Sequence, residues 1–137
     1  MERISILGST GSIGVQTLDI VRRNPERFSV TALVAHSRWQ ELATQAREFG
    51  VERVVIGDER HYASLKEALR DTSIEVAAGS DAIIDIARDE HCDTIVNSLV
   101  GYSGLHPTYA AIEAGKRIAL ANKETLVVGG DVIMSAA

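Results

Sequence analysis

Ile4-Ser5-Ile6-Leu7-Gly8-Ser9-Thr10-Gly11-Ser12-Ile13-Gly14 sets a short β-branched run, a G-x-x-G-x-x-G turn and the start of an amphipathic segment in direct succession. Residues 4–7 suit a buried strand, and residues 12–24 put Ile13, Thr17, Ile20 and Val21 on one helical face before Pro25 stops the run. At such a crossing the first glycine permits a tight turn. The middle one lets backbone approach a diphosphate, and the last lets helix pack closely on strand. Exposed N–H groups and the helix dipole then favour an anion. Thr10 and Ser12 add hydroxyl donors, and Ile13 faces the sheet or the ligand. A plain glycine-rich connection is the other reading of the turn. Strand before, helix after and strand again favour dinucleotide binding, with Gly8, Thr10, Gly11, Ser12 and Ile13 at the phosphates.

Working outward, further strand-like runs stand at Phe28–Ala35, 51–56, 74–77, 94–100 and Arg117–Ala121, although 74–77 also reads as an irregular edge. Between most of them lie helical segments. Residues 38–49 carry Leu42, Ala46 and Phe49 and close at Gly50. Ser80 can cap a helix to about residue 90, and Pro107 opens one that Gly115 closes. This alternation predicts an α/β fold, a doubly wound parallel sheet of Rossmann-like type, with residues 1–137 as one domain. Residues 123–137 have helical spacing at Leu126, Val127, Ile133 and Met134 but no C-cap signal. The expectation is one domain of a longer multidomain enzyme, whose second domain holds substrate and much of the chemistry.

Composition removes several function classes. A chain of 137 residues with 45% apolar and 24% charged residues is too apolar for disorder. Fourteen Lys plus Arg stand against 19 Asp plus Glu, and the aromatics are three Tyr, two Phe and one Trp. Neither a cationic surface nor a base-stacking platform is at hand, so no nucleic-acid partner is expected. The single Cys92 excludes an internal disulfide and suits a reducing compartment. With no signal-like start and no apolar run near ~18 residues, a cytoplasmic protein with no membrane partner is expected. His91-Cys92-Asp93 lacks metal-ligand spacing, which leaves Cys92 a structural role. His61 is expected on a solvated helix, His106 near the nicotinamide, and the charge runs at 58–60 and 88–90 on the surface.

The second strand's end selects the dinucleotide. An NAD site usually has an Asp or Glu about 20 residues past the loop, on the ribose hydroxyls. Leu33-Val34-Ala35-His36-Ser37-Arg38-Trp39-Gln40 has none before Glu41. Ser37 can donate a hydrogen bond and Arg38 presents a planar cation, a pair suited to a 2′-phosphate, so His36, Ser37 and Arg38 are read as NADPH residues. The bland alternative makes Ser37 a helix cap and Arg38 solvated. Trp39 either packs or stacks on adenine.

After the run ending at Leu120 stands Ala121-Asn122-Lys123-Glu124-Thr125-Leu126-Val127. Together with the glycine turn and Val100-Gly101-Tyr102-Ser103-Gly104-Leu105, it resembles the N-terminal NADPH-binding domain of the 1-deoxy-D-xylulose 5-phosphate reductoisomerase family across essentially the whole chain. The pairing of the two motifs at this separation is more specific than the turn alone. The resemblance implies conversion of 1-deoxy-D-xylulose 5-phosphate to 2-C-methyl-D-erythritol 4-phosphate in non-mevalonate isoprenoid biosynthesis. It implies a skeletal rearrangement, most plausibly retro-aldol and re-addition, then hydride delivery from NADPH. A divalent metal, magnesium or manganese, would hold the sugar phosphate on ligands outside this chain, in a homodimer. This chain alone would bind cofactor without turnover.

By the same resemblance Thr10, Gly11, Ser12 and Ile13 match pyrophosphate positions, Asn122 and Glu124 match NADPH contacts, and Lys123 matches a substrate contact. The chain departs from the frequent Ala-Gly-x-Asn spelling, with His36-Ser37-Arg38 after the second strand. Physical reasoning also places 122–124 beyond a strand's carboxyl end, where such sheets bind ligands. There Glu124 would suit a helix start, and Lys123 would be disfavoured without a compensating anion. Against this stands an Asn122 cap followed by a solvated lysine. Two other functions compete: another two-domain NADP-dependent aldehyde or semialdehyde dehydrogenase, and a non-enzymatic dinucleotide-sensing module.

Overall fold

The computed structural model describes residues 2–97, 115, 117–121, 125–128 and 131–134. Strands β1 (Glu2–Leu7), β2 (Phe28–Ala35), β3 (Arg53–Ile56), β4 (Glu75–Ala78), β5 (Thr94–Asn97) and β6 (Arg117–Ala121) form a parallel array. Helices α1 (Ser12–Arg23), α2 (Trp39–Phe49), α3 (Tyr62–Ala68) and α4 (Ser80–Arg88) connect the first five strands. Sheet order is β4-β3-β2-β1-β5-β6, followed by β7 (Thr125–Val128) and β8 (Asp131–Met134). The chain thus steps outward from β1 to β4, then returns to the far side of β1 as β5.

Right-handed crossovers make that reversal change faces. Ile4 and Ile6 of β1 pack with Leu18, Ile20 and Val21 of α1, Leu42 and Ala46 of α2 and Leu65 of α3. The other face joins Leu7, Val34, Val55 and Ile95 to Ile86 and Ala87 of α4 and to Cys92. Winding is therefore double, as the alternation predicts. Each fully buried Leu or Ile contributes about 1.5–3 kcal/mol relative to exposure, so the stripe of α1 is enough to hold the helix to the strand it follows. Ser5 interrupts this apolar sheet beside a register shift between β1 and β2. It is satisfied there by Thr31, 2.8 Å away, whose hydroxyl donates in turn to the Ile4 carbonyl at 3.1 Å.

Three expectations need correction. Within 123–137 the chain forms two strands, not a helix: β7 runs antiparallel to β6, and β8 antiparallel to β7. Thr125-Leu126-Val127-Val128 and Asp131-Val132-Ile133-Met134 flank Gly129-Gly130, a dipeptide that favours hairpins, and the β-branched content outweighs the helical spacing. On α1, Ile13 is 42% exposed, and the buried stripe is Gly14, Thr17, Leu18, Ile20 and Val21. Ser80 is the first residue of α4 and makes no capping bond; Gly79 holds the cap position. Gly50 does close α2 in the left-handed conformation, its N–H donating to Ala46. The segment from Pro107 to residue 114 and the residues around His106 lie outside the described residues. No described helix is long and apolar enough to cross a membrane.

Candidate functional site: the glycine turn and its rim

The carboxyl ends of β1 to β4 share one edge, since Leu7 pairs with Val34, Ala35 with Ile56 and Ile56 with Ala78. Between β1 and β5 the strand order reverses, and the turn leaving β1 at that point is Gly8-Ser9-Thr10-Gly11. Sheets of this kind bind ligands at such a reversal. Gly8 has φ +87°, a value L side chains rarely adopt, and its N–H and that of Ser9 both donate to the Val34 carbonyl, at 2.8 and 2.9 Å. The turn is thereby pinned to the end of β2.

The three glycines do different work. A Cβ at Gly14 would stand 2.1 Å from the Gly8 carbonyl oxygen and 2.6 Å from the Ser9 Cα, so α1 can approach β1 only through glycine. At Gly11, φ is −77° and the nearest atom to a Cβ is 3.6 Å away, so the protein itself does not demand glycine there. Space for a ligand is what a side chain at Gly11 would remove. The N–H groups of Thr10, Ser12, Ile13 and Gly14 have no hydrogen-bond partner among the described residues. No acidic residue stands in the first turn of α1. This cradle of donors at a positive dipole end fits a diphosphate.

His36, Ser37 and Arg38 all lie exposed at the carboxyl end of β2. Arg38, not Ser37, occupies the cap position of α2, and no side-chain capping bond is present, which removes the cap alternative for Ser37. The Arg38 guanidinium reaches the Thr10 carbonyl at 3.4 Å and Glu41 at 3.7 Å, so it spans from β2 to the glycine turn. His36 lies against Gly57, where a Cβ would be 3.0 Å from its Nδ1. Trp39 is partly buried against the α1–α3 core, a packing role.

Beyond β3, Asp58 accepts from the backbone N–H of Arg60 at 3.1 Å and from its guanidinium at 2.7 Å. The Arg60 side-chain hydrogen bond holds the Asp58 carboxyl well below the usual carboxylate range. Asp58 thus remains an anion beside His61, which precedes α3 in a short 3-10 turn, Glu59–His61. Cys92 is buried with its Sγ 3.1 Å from the Thr94 carbonyl, in keeping with a structural role. Among the described residues, no group of three or more His, Cys, Asp and Glu is placed to hold a metal ion.

Strand β6 is parallel to β5 and ends at Ala121 on the rim that carries the glycine turn. Asn122, Lys123 and Glu124 lie outside the described residues. Gln45 escaped the sequence reading. Its amide on α2 grips Ser9 at two points, 36 positions away, and the one local hint is a polar residue adjoining the buried Leu42–Ala46 stripe.

Residues 4–130 match the model of a family described as 1-deoxy-D-xylulose 5-phosphate reductoisomerase. A relative of that name from Desulfitobacterium hafniense is 50% identical over 137 residues, covering 100% of this chain and 36% of the relative. A solved reductoisomerase from Zymomonas mobilis in complex with NADPH is 43% identical, with TM-score 0.82, over 88% of this chain and 32% of that one. Another, described as DOX-P reductoisomerase in complex with NADPH, fosmidomycin and magnesium, is 40% identical, with TM-score 0.84, over 89% of this chain and 30% of that one. The chain spans about a third of the length of the relatives it matches. Their shared name lends no support to the dehydrogenase or sensor alternatives.

Proposed function

The chain belongs to the 1-deoxy-D-xylulose 5-phosphate reductoisomerase family, and from that premise we propose that residues 1–137 act as its NADPH-binding domain. The observation that carries the reading is the glycine turn: unpartnered N–H groups of Thr10, Ser12 and Ile13 around an open Gly11 at the reversal of strand order. Those amides, with Gly8 giving the turn, take the pyrophosphate. His36, Ser37 and Arg38 take the adenosine ribose and its 2′-phosphate, Arg38 being held over the turn by the Thr10 carbonyl. Asn122 and Glu124 contact the cofactor farther along, and Lys123 contacts substrate. Bound NADPH supplies a hydride; this chain's residues hold and aim it.

The whole protein then converts 1-deoxy-D-xylulose 5-phosphate to 2-C-methyl-D-erythritol 4-phosphate in the cytoplasm, as a homodimer that needs magnesium or manganese. The relatives' shared name and the magnesium in a reductoisomerase complex support this. Metal ligands come from outside this chain, which alone binds cofactor without turnover. Two assays test the reading. Titrating NADPH into this chain should give saturable heat, and a protein with this chain at the length of its relatives should consume NADPH only when sugar phosphate and divalent metal are both present. Absence of cofactor binding, or substrate-dependent oxidation without metal, contradicts the reading.

A further inference from the structure

We propose that Gln45 is a positioning residue for the cofactor diphosphate: its amide fixes the Ser9–Thr10 peptide so that the Thr10 N–H is turned outward, away from α2. The inference rests on the NADPH reading above and adds to it a residue of α2. Ser9 is fully buried. Its N–H donates to the Val34 carbonyl at 2.9 Å, its hydroxyl donates to Oε1 of Gln45 at 2.8 Å, and Nε2 of Gln45 donates to its carbonyl at 3.0 Å. The Ser9 carbonyl can only accept, so the amide orientation of Gln45 is set by the network itself.

A trans peptide is planar, with its C=O and the following N–H pointing in opposite directions. Among the described residues no peptide bond is cis. Holding the Ser9 carbonyl toward α2 therefore directs the Thr10 N–H away from α2, and that N–H has no partner among the described residues. Without the amide, a buried carbonyl loses its donor, an arrangement that costs free energy. Rotation of this peptide relieves the loss, but it turns a carbonyl dipole toward the phosphates and withdraws a donor. Glutamine suits the place because one side chain must both accept from a hydroxyl and donate to a carbonyl.

Backbone amide NMR on the full chain with NADP⁺ tests this. In the wild type the Thr10, Ser12 and Ile13 amide protons should move downfield on binding. In Gln45→Leu the Thr10 shift should vanish while those of Ser12 and Ile13 persist, with affinity about tenfold weaker. Unchanged Thr10 behaviour, or equal loss at all three amides, overturns the role of Gln45 and leaves the NADPH reading standing. No response in the wild type removes that reading itself. If Gln45→Leu does not fold, Gln45→Glu preserves size and the acceptor for Ser9 but sets a carboxylate against a carbonyl. Its NADP⁺ affinity, taken relative to wild type at each pH, should be about tenfold weaker at pH 8 and recover most of that at pH 5, where a raised pKa restores a proton to donate. Absence of recovery overturns the proposal.

Discussion

Two strand-to-helix turns on the same rim both place serine directly after a glycine of positive φ, Gly8 before Ser9 and Gly79 before Ser80, yet they are built for opposite ends. After β4 the helix starts at once, Asp81 supplies an acidic residue in its first turn, and the Glu59 carboxylate lies so close that a Cβ at Gly79 would be 2.6 Å from it. After β1 three further residues intervene and the first turn of α1 carries no acid, whereas the first amides of both helices lack hydrogen-bond partners among the described residues. The dipole is the same in kind at both helices. What differs is whether the protein supplies its own negative charge there. A helix N-terminus becomes an anion site when the chain leaves its positive end uncompensated by carboxylates, and of these two only the turn after β1 is left so.

The largest expected effect comes from closing the turn after β1 with protein atoms. Gly14→Ala drives a Cβ into the Gly8 carbonyl and the Ser9 backbone, neither of which is a flexible side chain. A loss of about 3 kcal/mol is expected, read as a lowered urea midpoint together with lost NADPH binding. Gly79→Ala should come next, costing about 2 kcal/mol because φ +92° is strained for alanine. Its NADPH affinity in calorimetry should stay at the wild-type value, and a parallel loss would erase the distinction between the turns.

Gly11→Val separates ligand space from fold. Its backbone suits a side chain, so the unfolding midpoint should hold while NADPH affinity falls about tenfold, near 1.4 kcal/mol. Arg38→Ala should be smaller, lowering the preference for NADPH over NADH about fivefold, since Glu41 and solvent already temper its charge. Equal losses for both cofactors would mean that Arg38 does not read the 2′-phosphate.

Much of this contrast was legible in residue order alone. Buried parallel strands are short β-branched runs, and Phe28–Ala35 and Arg117–Ala121 stand where such runs predict them. The glycine turn was readable because its requirements are local: a tight turn, a close helix approach and an open backbone. The final hairpin was misread because Leu126, Val127, Ile133 and Met134 satisfy helical spacing as well as two strands. Ile13 fits the apolar stripe by periodicity, but it sits in the first turn of α1 at the rim and is partly exposed. Gln45 was invisible because its partner is 36 positions away and no periodicity marks a side chain that bonds to a peptide. Asn122, Lys123 and Glu124 owe their assignment chiefly to family resemblance, since their roles depend on a cofactor and substrate that local sequence rules do not represent.

The most direct test of an anion site after β1 and a charge-compensated helix start after β4 is the backbone amide spectrum of the wild-type chain during titration with NADPH. Downfield shifts at Thr10, Ser12, Ile13 and Gly14, with Gly79, Ser80 and Asp81 unmoved, are the expected result. Shifts centred on Gly79 to Asp81, or saturable binding with the α1 amides unmoved, would contradict it.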